Sequence, residues 1–422
     1  MPTPRHPVRP SVLVAYAAFV QVGLQASAGG VLLPSQIADY GVGRAAIGVC
    51  FLTFAAGFIF ASFSSGAALS RFGIRFTLVA GAVAVVLAGI GVAARPPFVV
   101  FVALQSVVGY GTGLLESALN AHIASLDGAT TLLNRLHAFF GVGALAGPLL
   151  TAWMLRSVSW PIVWLVLALL CVPLIVGFLA TYPARAVVEA PSARQAPSAR
   201  QAPTARQGLL AEALRQPAVL LAAVFLSVYV GLEQSMGNWG YSLLTGTRGL
   251  SPLVAGYAAS GFWLGLTAGR FLIGPIATRA GRTGAEMTFA CLGGVAAMVA
   301  LVWFVPTTVT AFCGLVLLGA FLGPVFPTTM ALASSWTRPH LVPTSIGIVN
   351  GFSVVGGALI PWLAGAVAQG LGIWTLLPFC LVLALLQLAV WWMITSRPAV
   401  VETAVVETAM VETVDEASPG VG

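Results

Sequence analysis

Gly66-Ala67-Ala68-Leu69-Ser70-Arg71-Phe72-Gly73 and Gly274-Pro275-Ile276-Ala277-Thr278-Arg279-Ala280-Gly281 carry one pattern, Gly-x-x-x-Ser/Thr-Arg-x-Gly, at a displacement of 208 residues. Each copy follows a long apolar run. Two further matches keep the same order. Val22-Gly23-Leu24-Gln25-Ala26-Ser27 returns as Val230-Gly231-Leu232-Glu233-Gln234-Ser235, again displaced by 208. His137-x-Phe139-x3-Gly143-x4-Pro148 returns as Asn350-x-Phe352-x3-Gly356-x4-Pro361, displaced by 213. Three ordered matches indicate an ancient duplication with two parallel halves, an arrangement that places a binding site at their interface near the bilayer midplane.

The composition requires a lipid environment. Of 422 residues, 59% are apolar and 7% charged, against roughly 25% charged in a soluble domain. A crossing helix needs about 20 apolar residues. Twelve runs qualify, roughly 11–33, 45–69, 76–95, 97–124, 131–155, 160–182, 218–245, 251–275, 284–305, 309–335, 342–369 and 371–396. The fold class expected is all-α: twelve transmembrane helices in two pseudo-symmetric six-helix bundles, 11–182 and 218–396. Residues 1–33 have the outline of a signal peptide. The many equally long runs that follow make the first a retained helix instead.

Between the halves, Ala190-Pro191-Ser192-Ala193-Arg194-Gln195 is repeated twice more, ending at Gln207. No apolar face exists there, so 183–217 is expected to be a disordered linker. Residues 1–10 are expected to be a cytoplasmic tail, and 397–422, which repeats Val-Glu-Thr, reads as a disordered one.

The 19 basic residues, all arginine, exceed the 12 acidic ones but form no patch, which argues against nucleic-acid binding. Arg5, Arg9, Arg71, Arg75, Arg135, Arg279, Arg282, Arg338, Arg397 and the linker arginines fall on the side of the termini. Only Arg44, Arg95, Arg156 and Arg248 fall opposite. The positive-inside rule then makes both termini and the linker cytoplasmic, in a multi-pass protein of the cell's inner (plasma) membrane. The five cysteines sit in apolar runs without metal-like spacing and read as packing residues. No nucleophile–base pair, metal-ligand cluster or phosphate loop supports an enzyme, and no cofactor or metal is expected. The expected partners are a small-molecule solute, protons and lipid, for a monomeric chain.

Three charges lie deep in apolar runs: Glu116, Glu233 and Arg270. A charge in the membrane interior costs at least a few kcal/mol, and such residues face a cavity or a partner. Glu116 follows the glycines Gly109, Gly111 and Gly113, which let a neighbouring helix approach. Asn120, four residues on, shares its face. A carboxyl group in a partly wet, low-dielectric cavity can load and release a proton; the alternative is a structural hydrogen bond. Glu233 lies in Tyr229-x-Gly231-x-Glu233-Gln234-x-x-Gly237-Asn238-Trp239, which suggests a locally broken helix lining a cavity. Trp239 there offers a flat face to a sugar ring, or else belongs to the interfacial aromatic belt. Arg270 neutralises Glu116 or Glu233, or binds an anionic substrate. His137 and its counterpart Asn350 are candidates for the shared cavity, as are Gln25, Gln234 and Asn238. In the repeated motif, Gly66, Gly73, Gly274 and Gly281 suit tight turns and close packing. Arg71 and Arg279 suit a gate holding helix ends and acidic partners, or serve only to keep the loops inside.

The repeated motif resembles the signature of the major facilitator superfamily, Gly-x-x-x-Asp-Arg-x-Gly-Arg-Arg, with Ser70 and Thr278 at the acidic position. Within it, Leu114-Leu115-Glu116-Ser117-Ala118-x-Asn120, the run from Leu133 through Asn134, His137 and Phe139 to Pro148, and Val31-Leu32-Leu33-Pro34 are similar to the fucose:proton symporter branch. The resemblance implies sugar uptake coupled to protons, with Glu116 in the coupling role. The branch's second acid falls at Gly30, and Glu233 is the candidate substitute. Arg270 is similarly placed to the anion-binding arginine of oxalate and monocarboxylate transporters, which points toward acids. Efflux of apolar or cationic compounds is the remaining alternative.

Overall fold

The computed structural model describes residues 10–184, 203–333 and 335–396. The helices are α1 (Pro10–Tyr40), α2 (Arg44–Ala93), α3 (Phe98–Ala124), α4 (Ala129–Met154), α5 (Trp160–Leu169) and α6 (Cys171–Thr181) in the first half. A short α7 (Pro203–Leu214) leads to α8 (Pro217–Thr247), α9 (Pro252–Arg279), α10 (Gly284–Phe304), α11 (Thr308–Leu322), α12 (Val325–Ala333), α13 (Val342–Leu371) and α14 (Leu376–Thr395). In lipid every backbone amide must be satisfied within its own segment, so helices are what such runs form.

Ten helical segments are long and apolar enough to span a membrane, with α5–α6 and α11–α12 each counting as one. Helix α9, of 28 residues, falls outside that set and is counted as an eleventh because it stands at the repeat position of the first part of α2. Helix α2, with 50 residues, is about 75 Å long at 1.5 Å per residue and supplies two, which makes twelve crossings. Its fold-back point is Gly73, at φ 81° and ψ 170°, a conformation that only glycine adopts readily. Runs two and three are therefore joined by a one-residue kink, not a loop. The first helix continues past Pro34 to Tyr40.

Lipid offers no hydrophobic drive between helices, so the seams depend on close backbone approach. Helices α2 and α3 meet where Gly57 lies against the Ser106 carbonyl and Gly109 against the Phe54 carbonyl. Helices α9 and α11 repeat this with Gly265 on the Val316 carbonyl and Gly319 on the Phe262 carbonyl. Gly143 packs on the Val20 carbonyl between α4 and α1; Gly356 packs on the Ser227 carbonyl between α13 and α8. A side chain at any of these would overlap backbone. Gly57 and Gly265, and Phe54 and Phe262, are each separated by the 208-residue displacement of the repeat. The outer surface carries large apolar side chains, such as Phe63 and Val99, as expected of a lipid-facing wall.

The halves touch on the side away from the termini. Gly48 of α2 packs on Trp362 of α13, Gly30 of α1 on the backbone of Gly237 and Asn238, and Gly256 of α9 on Ala152 of α4. On the side of the termini, a Cβ at Gly66, Gly274, Gly347 or Gly351 would meet open space. These contacts join the two halves toward the end away from the termini.

Two expectations are corrected here. Part of the stretch expected to be a disordered linker, Pro203–Leu214, is helical. Ala213 is fully buried there, and Glu212 meets Arg338 and His340 at 3.2 Å each. Residues 185–202 of that stretch, 1–9 and 397–422 lie outside the described residues. Helix α8 runs unbroken through Gly237. That glycine admits the Trp263 ring, whose Cζ2 lies 2.8 Å from where a Cβ would sit.

Candidate functional site

A cavity of about 310 Å³ lies between the halves, bounded mainly by the first. Helix α3 contributes Phe101, Gln105, Val108, Thr112 and Glu116, a stripe at spacings of four and three that keeps one face toward the cavity. Helix α1 contributes Val22, Gln25, Ala26, Gly29, Leu33 and Gln36 in the same rhythm. Phe51, Phe54 and Phe58 of α2, Phe140 of α4 and Trp164 of α5 close the wall. The second half adds Val230, Gln234 and Asn238 of α8 and Val354, Gly357 and Ala358 of α13. The surface is aromatic with a few amides, and no cationic side chain lines it.

Glu116 is the only acidic residue on this wall. Its backbone carbonyl accepts from Asn120 Nδ2 at 2.9 Å, and among the described residues no cation pairs with its carboxylate. The amides of the second half are bonded: Asn238 Nδ2 donates to the Gln234 carbonyl at 2.9 Å and to its Oε1 at 3.3 Å. Gln25 Nε2, Gln105 Nε2 and Trp164 Nε1 are buried without a hydrogen-bond partner.

Glu233 points away from this wall into a second polar cluster. Gln234 Nε2 donates to Glu233 Oε1 at 3.5 Å. The Tyr229 hydroxyl interacts with both Glu233 and Arg270, and the Arg270 charge acts on Glu233. The cluster services a break between α11 and α12. Pro327 removes the amide that would bond the Gly323 carbonyl, and Arg270 Nε takes that carbonyl at 3.5 Å. Tyr229 Oη donates to the Leu322 carbonyl at 2.9 Å. The charge of Arg270 also reaches His137 on α4, across the interface.

Of the expected binding residues, the structure brings Gln25, Gln234 and Asn238 to the cavity with Glu116. Asn120, His137, Arg270 and Asn350 do not line it. Asn120 is turned to its own helix backbone, His137 stands edge-on to Phe19 at 5.5 Å, and Asn350 lies exposed on α13. Trp239 is fully buried, donates to the Pro361 carbonyl at 2.8 Å and packs edge-on against Phe51. It is a packing residue, not a platform. At the repeated motif, Gly73 and Gly281 have positive φ, as a turn requires. Gly66 and Gly274 do not pack closely. Arg71 lies 5.2 Å from the Phe72 ring, and among the described residues neither it nor Arg279 holds an acid. Gln36, Gln105, Thr112 and Trp164 were missed. Gln105 was within reach of the sequence, because it lies eleven residues before Glu116, about 20° away around a helix.

Comparison with known proteins agrees with this architecture. The profile described as Major Facilitator Superfamily matches residues 15–318 and 235–413. The chain is 27% identical to Bypass of stop codon protein 6 of Saccharomyces cerevisiae, over 91% of this chain and 82% of that one. It is 27% identical to a glucose/galactose transporter of Brucella abortus biovar 1, over 76% of this chain and 79% of that one. Among solved structures, a mutant of the nucleoside transporter NupG superposes with a TM-score of 0.77 at 13% identity, covering 92% of this chain and all of that one (100%). These similarities, with the duplicated helices and the cavity between them, place the chain among membrane transporters, not enzymes: it belongs to the Major Facilitator Superfamily.

Proposed function

We propose that the chain is a secondary active transporter that works by alternating access and takes up a small polar solute, such as a sugar, together with a proton. One observation carries the reading: Glu116 is the acid of the cavity wall, and among the described residues no cation holds its charge. A carboxylate kept in an apolar cavity without a counter-ion is costly. Protonation removes that cost, so solute binding and proton loading are linked in one space. The amides and aromatic rings around it suit a sugar. The similarity to the Brucella abortus glucose/galactose transporter and to the glucose/mannose transporter GlcP of Bacillus subtilis favours the same class. The fucose:proton symporter branch remains the likeness that assigns Glu116 its role. The arginine asymmetry supports cytoplasmic termini in an inner membrane, and the contacts between Gly48 and Trp362 and between Gly256 and Ala152 then lie toward the opposite side. Glu233, engaged with Tyr229 and Arg270, serves as a second, conformationally coupled acid. Arg71 and Arg279 act as gate residues when the side of the termini closes.

The test is transport in proteoliposomes. Glu116→Gln abolishes proton-driven sugar accumulation but leaves sugar counterflow intact. Unchanged accumulation in that variant refutes the proposal.

A second reading, proton-driven efflux of apolar compounds, draws on the five phenylalanines of the wall and on the 25% identity to the Bacillus subtilis multidrug efflux protein YfmO. Export of dyes from vesicles with no sugar response decides for it. A carboxylate substrate loses its support, because Arg270 stands off the cavity.

A further inference from the structure

A second hollow, of about 420 Å³, lies outside the interface, between α9 and α10 of the second half. Ile273 and Ile276 of α9, Ala290 and Cys291 of α10 and Phe321 of α11 line it. Ile276 and Ala290 are exposed, so the hollow opens on the wall that hydrocarbon covers. Its deep end is the Phe321 ring, which lies against Gly294: a Cβ there would sit 2.6 Å from Phe321 Cγ. Gly294 is ten residues beyond Gly284, the first residue of α10, about 15 Å at 1.5 Å per residue. The hydrocarbon core is about 30 Å thick. The groove therefore runs from the α9–α10 turn to the middle of the bilayer, the depth of one leaflet.

The mouth of the groove is charged. Arg282 and Glu286 stand there. The Arg282 side chain is 66% exposed, and its Nη1 lies 3.8 Å from Glu286 Oε1, beyond hydrogen-bond length. Glu286 is committed to its own helix: its Oε2 accepts from the Thr283 amide at 3.0 Å, in the capping box that starts α10. Arg279, in the last turn of α9, adds a second cation. Two cations against one acid leave the mouth positive, on the side of the termini.

The repeat shows that this is particular to the second half. Displaced by 208, Arg282 and Glu286 fall on Ile74 and Leu78, which are 1% and 0% exposed. The neighbouring Arg75 donates through Nε to the Tyr182 carbonyl. An apolar pair fills the turn that Arg282 and Glu286 leave open.

We infer that this groove holds one anionic phospholipid of the leaflet on the side of the termini. An acyl chain lies between α9 and α10 down to Phe321, and the phosphate meets Arg282. Basic hollows between spanning helices on the cytoplasmic side suit anionic headgroups, and a guanidinium can bond two phosphate oxygens at once. A choline headgroup brings a cation to a positive mouth. Free phosphate leaves the apolar length of the groove unfilled. The inference is independent of what the central cavity carries.

The experiment is native mass spectrometry of the purified full-length chain. The chain is first reconstituted in vesicles of equal parts palmitoyl-oleoyl phosphatidylcholine and palmitoyl-oleoyl phosphatidylglycerol, then extracted in mild detergent. The wild type is expected to retain one phosphatidylglycerol in preference to phosphatidylcholine. Arg282→Gln, a change to an exposed side chain, is expected to lower that preference about fivefold, the effect of one cation near the membrane surface. Ala290→Trp fills the groove. It is expected to release the lipid, and to lose the rise in thermal midpoint that added phosphatidylglycerol gives the wild type. Equal retention of the two lipids by the wild type overturns the inference. So does a preference that Arg282→Gln leaves unchanged, whatever the tryptophan variant does: the lipid then sits elsewhere on the wall.

Discussion

Gln369 Oε1 accepts a hydrogen bond from the Ala45 amide at 2.9 Å, from the last turn of α13 in one half to the first turn of α2 in the other. Beside it, Arg44 Nη1 donates to the Ala368 carbonyl at 3.3 Å. The two helix ends cap one another. Free amides at the start of α2 receive a side-chain oxygen, and a carbonyl at the end of α13, the negative pole of its dipole, receives a guanidinium. The latch exists only while this side is closed. Gln369→Ala removes one hydrogen bond worth about 1 kcal/mol, so the population open on this side rises about fivefold. Cys50 lines the cavity just beyond the latch. In a Cys313→Ser background, Gln369→Ala is expected to speed alkylation of Cys50 by an impermeant maleimide applied from the side opposite the termini. An unaltered rate removes the latch from the mechanism.

Glu233 and Arg270 share one cluster, so their effects on stability are not additive. Glu233→Gln leaves the Arg270 charge without its acid, and Arg270→Gln leaves the acid without its cation. Each lowers the thermal midpoint, and the double variant recovers part of the loss. A coupling energy of about 1 kcal/mol in the double-mutant cycle is expected. Strict additivity contradicts the electrostatic coupling. Glu116→Gln, which breaks no pair, is expected to leave the midpoint within error of wild type.

Gly73 and Gly66 belong to one motif but differ in backbone. Gly73 holds φ 81° and ψ 170°, so Gly73→Ala costs about 2 kcal/mol of strain. Gly66 is helical with open space at its Cβ position, so Gly66→Ala is neutral or gains up to about 1 kcal/mol from helix propensity. Equal melting shifts in the two variants dispose of the kink argument.

Glu212 joins α7 to Arg338 and His340 at 3.2 Å each, with half or more of both basic side chains exposed. Exposed ion pairs contribute about 0–1 kcal/mol and are screened by salt. Glu212→Gln is therefore expected to shift stability by no more than about 1 kcal/mol at low ionic strength, and by nothing measurable at 1 M salt. A larger, salt-independent loss points to packing of α7 instead.

The architecture was legible in the chain because it rests on one-dimensional signals. Apolar runs mark crossings, and three displaced matches mark the duplication. The site was legible in part. Glu116, Gln25, Gln234 and Asn238 stood out as polar residues in apolar surroundings, and the structure brings them to one space. Trp239 and Gly237 misled, since a tryptophan beside a glycine reads alike whether the ring faces a cavity or fills a seam. Here Gly365 and the Pro361 carbonyl hold the ring in place. In the sequence Arg270 reads as a partner or a ligand, whereas its hydrogen bond goes to a helix break whose freed carbonyl only three dimensions reveal. Trp164 carries no local signal at all, because only the fold brings its ring to the cavity wall.

The glycine seams that repeat between the halves are built on backbone contact, with hydroxyls such as Thr53 and Ser227 bonding to carbonyls across them. The facing walls are where the halves differ: Gln25 lines the cavity, and its repeat counterpart Glu233 turns away to Tyr229 and Arg270. Assembly and cargo are thus written in separate residues. A lineage can exchange its amides and rings for others, and so change diet, without disturbing the joints on which the moving parts turn.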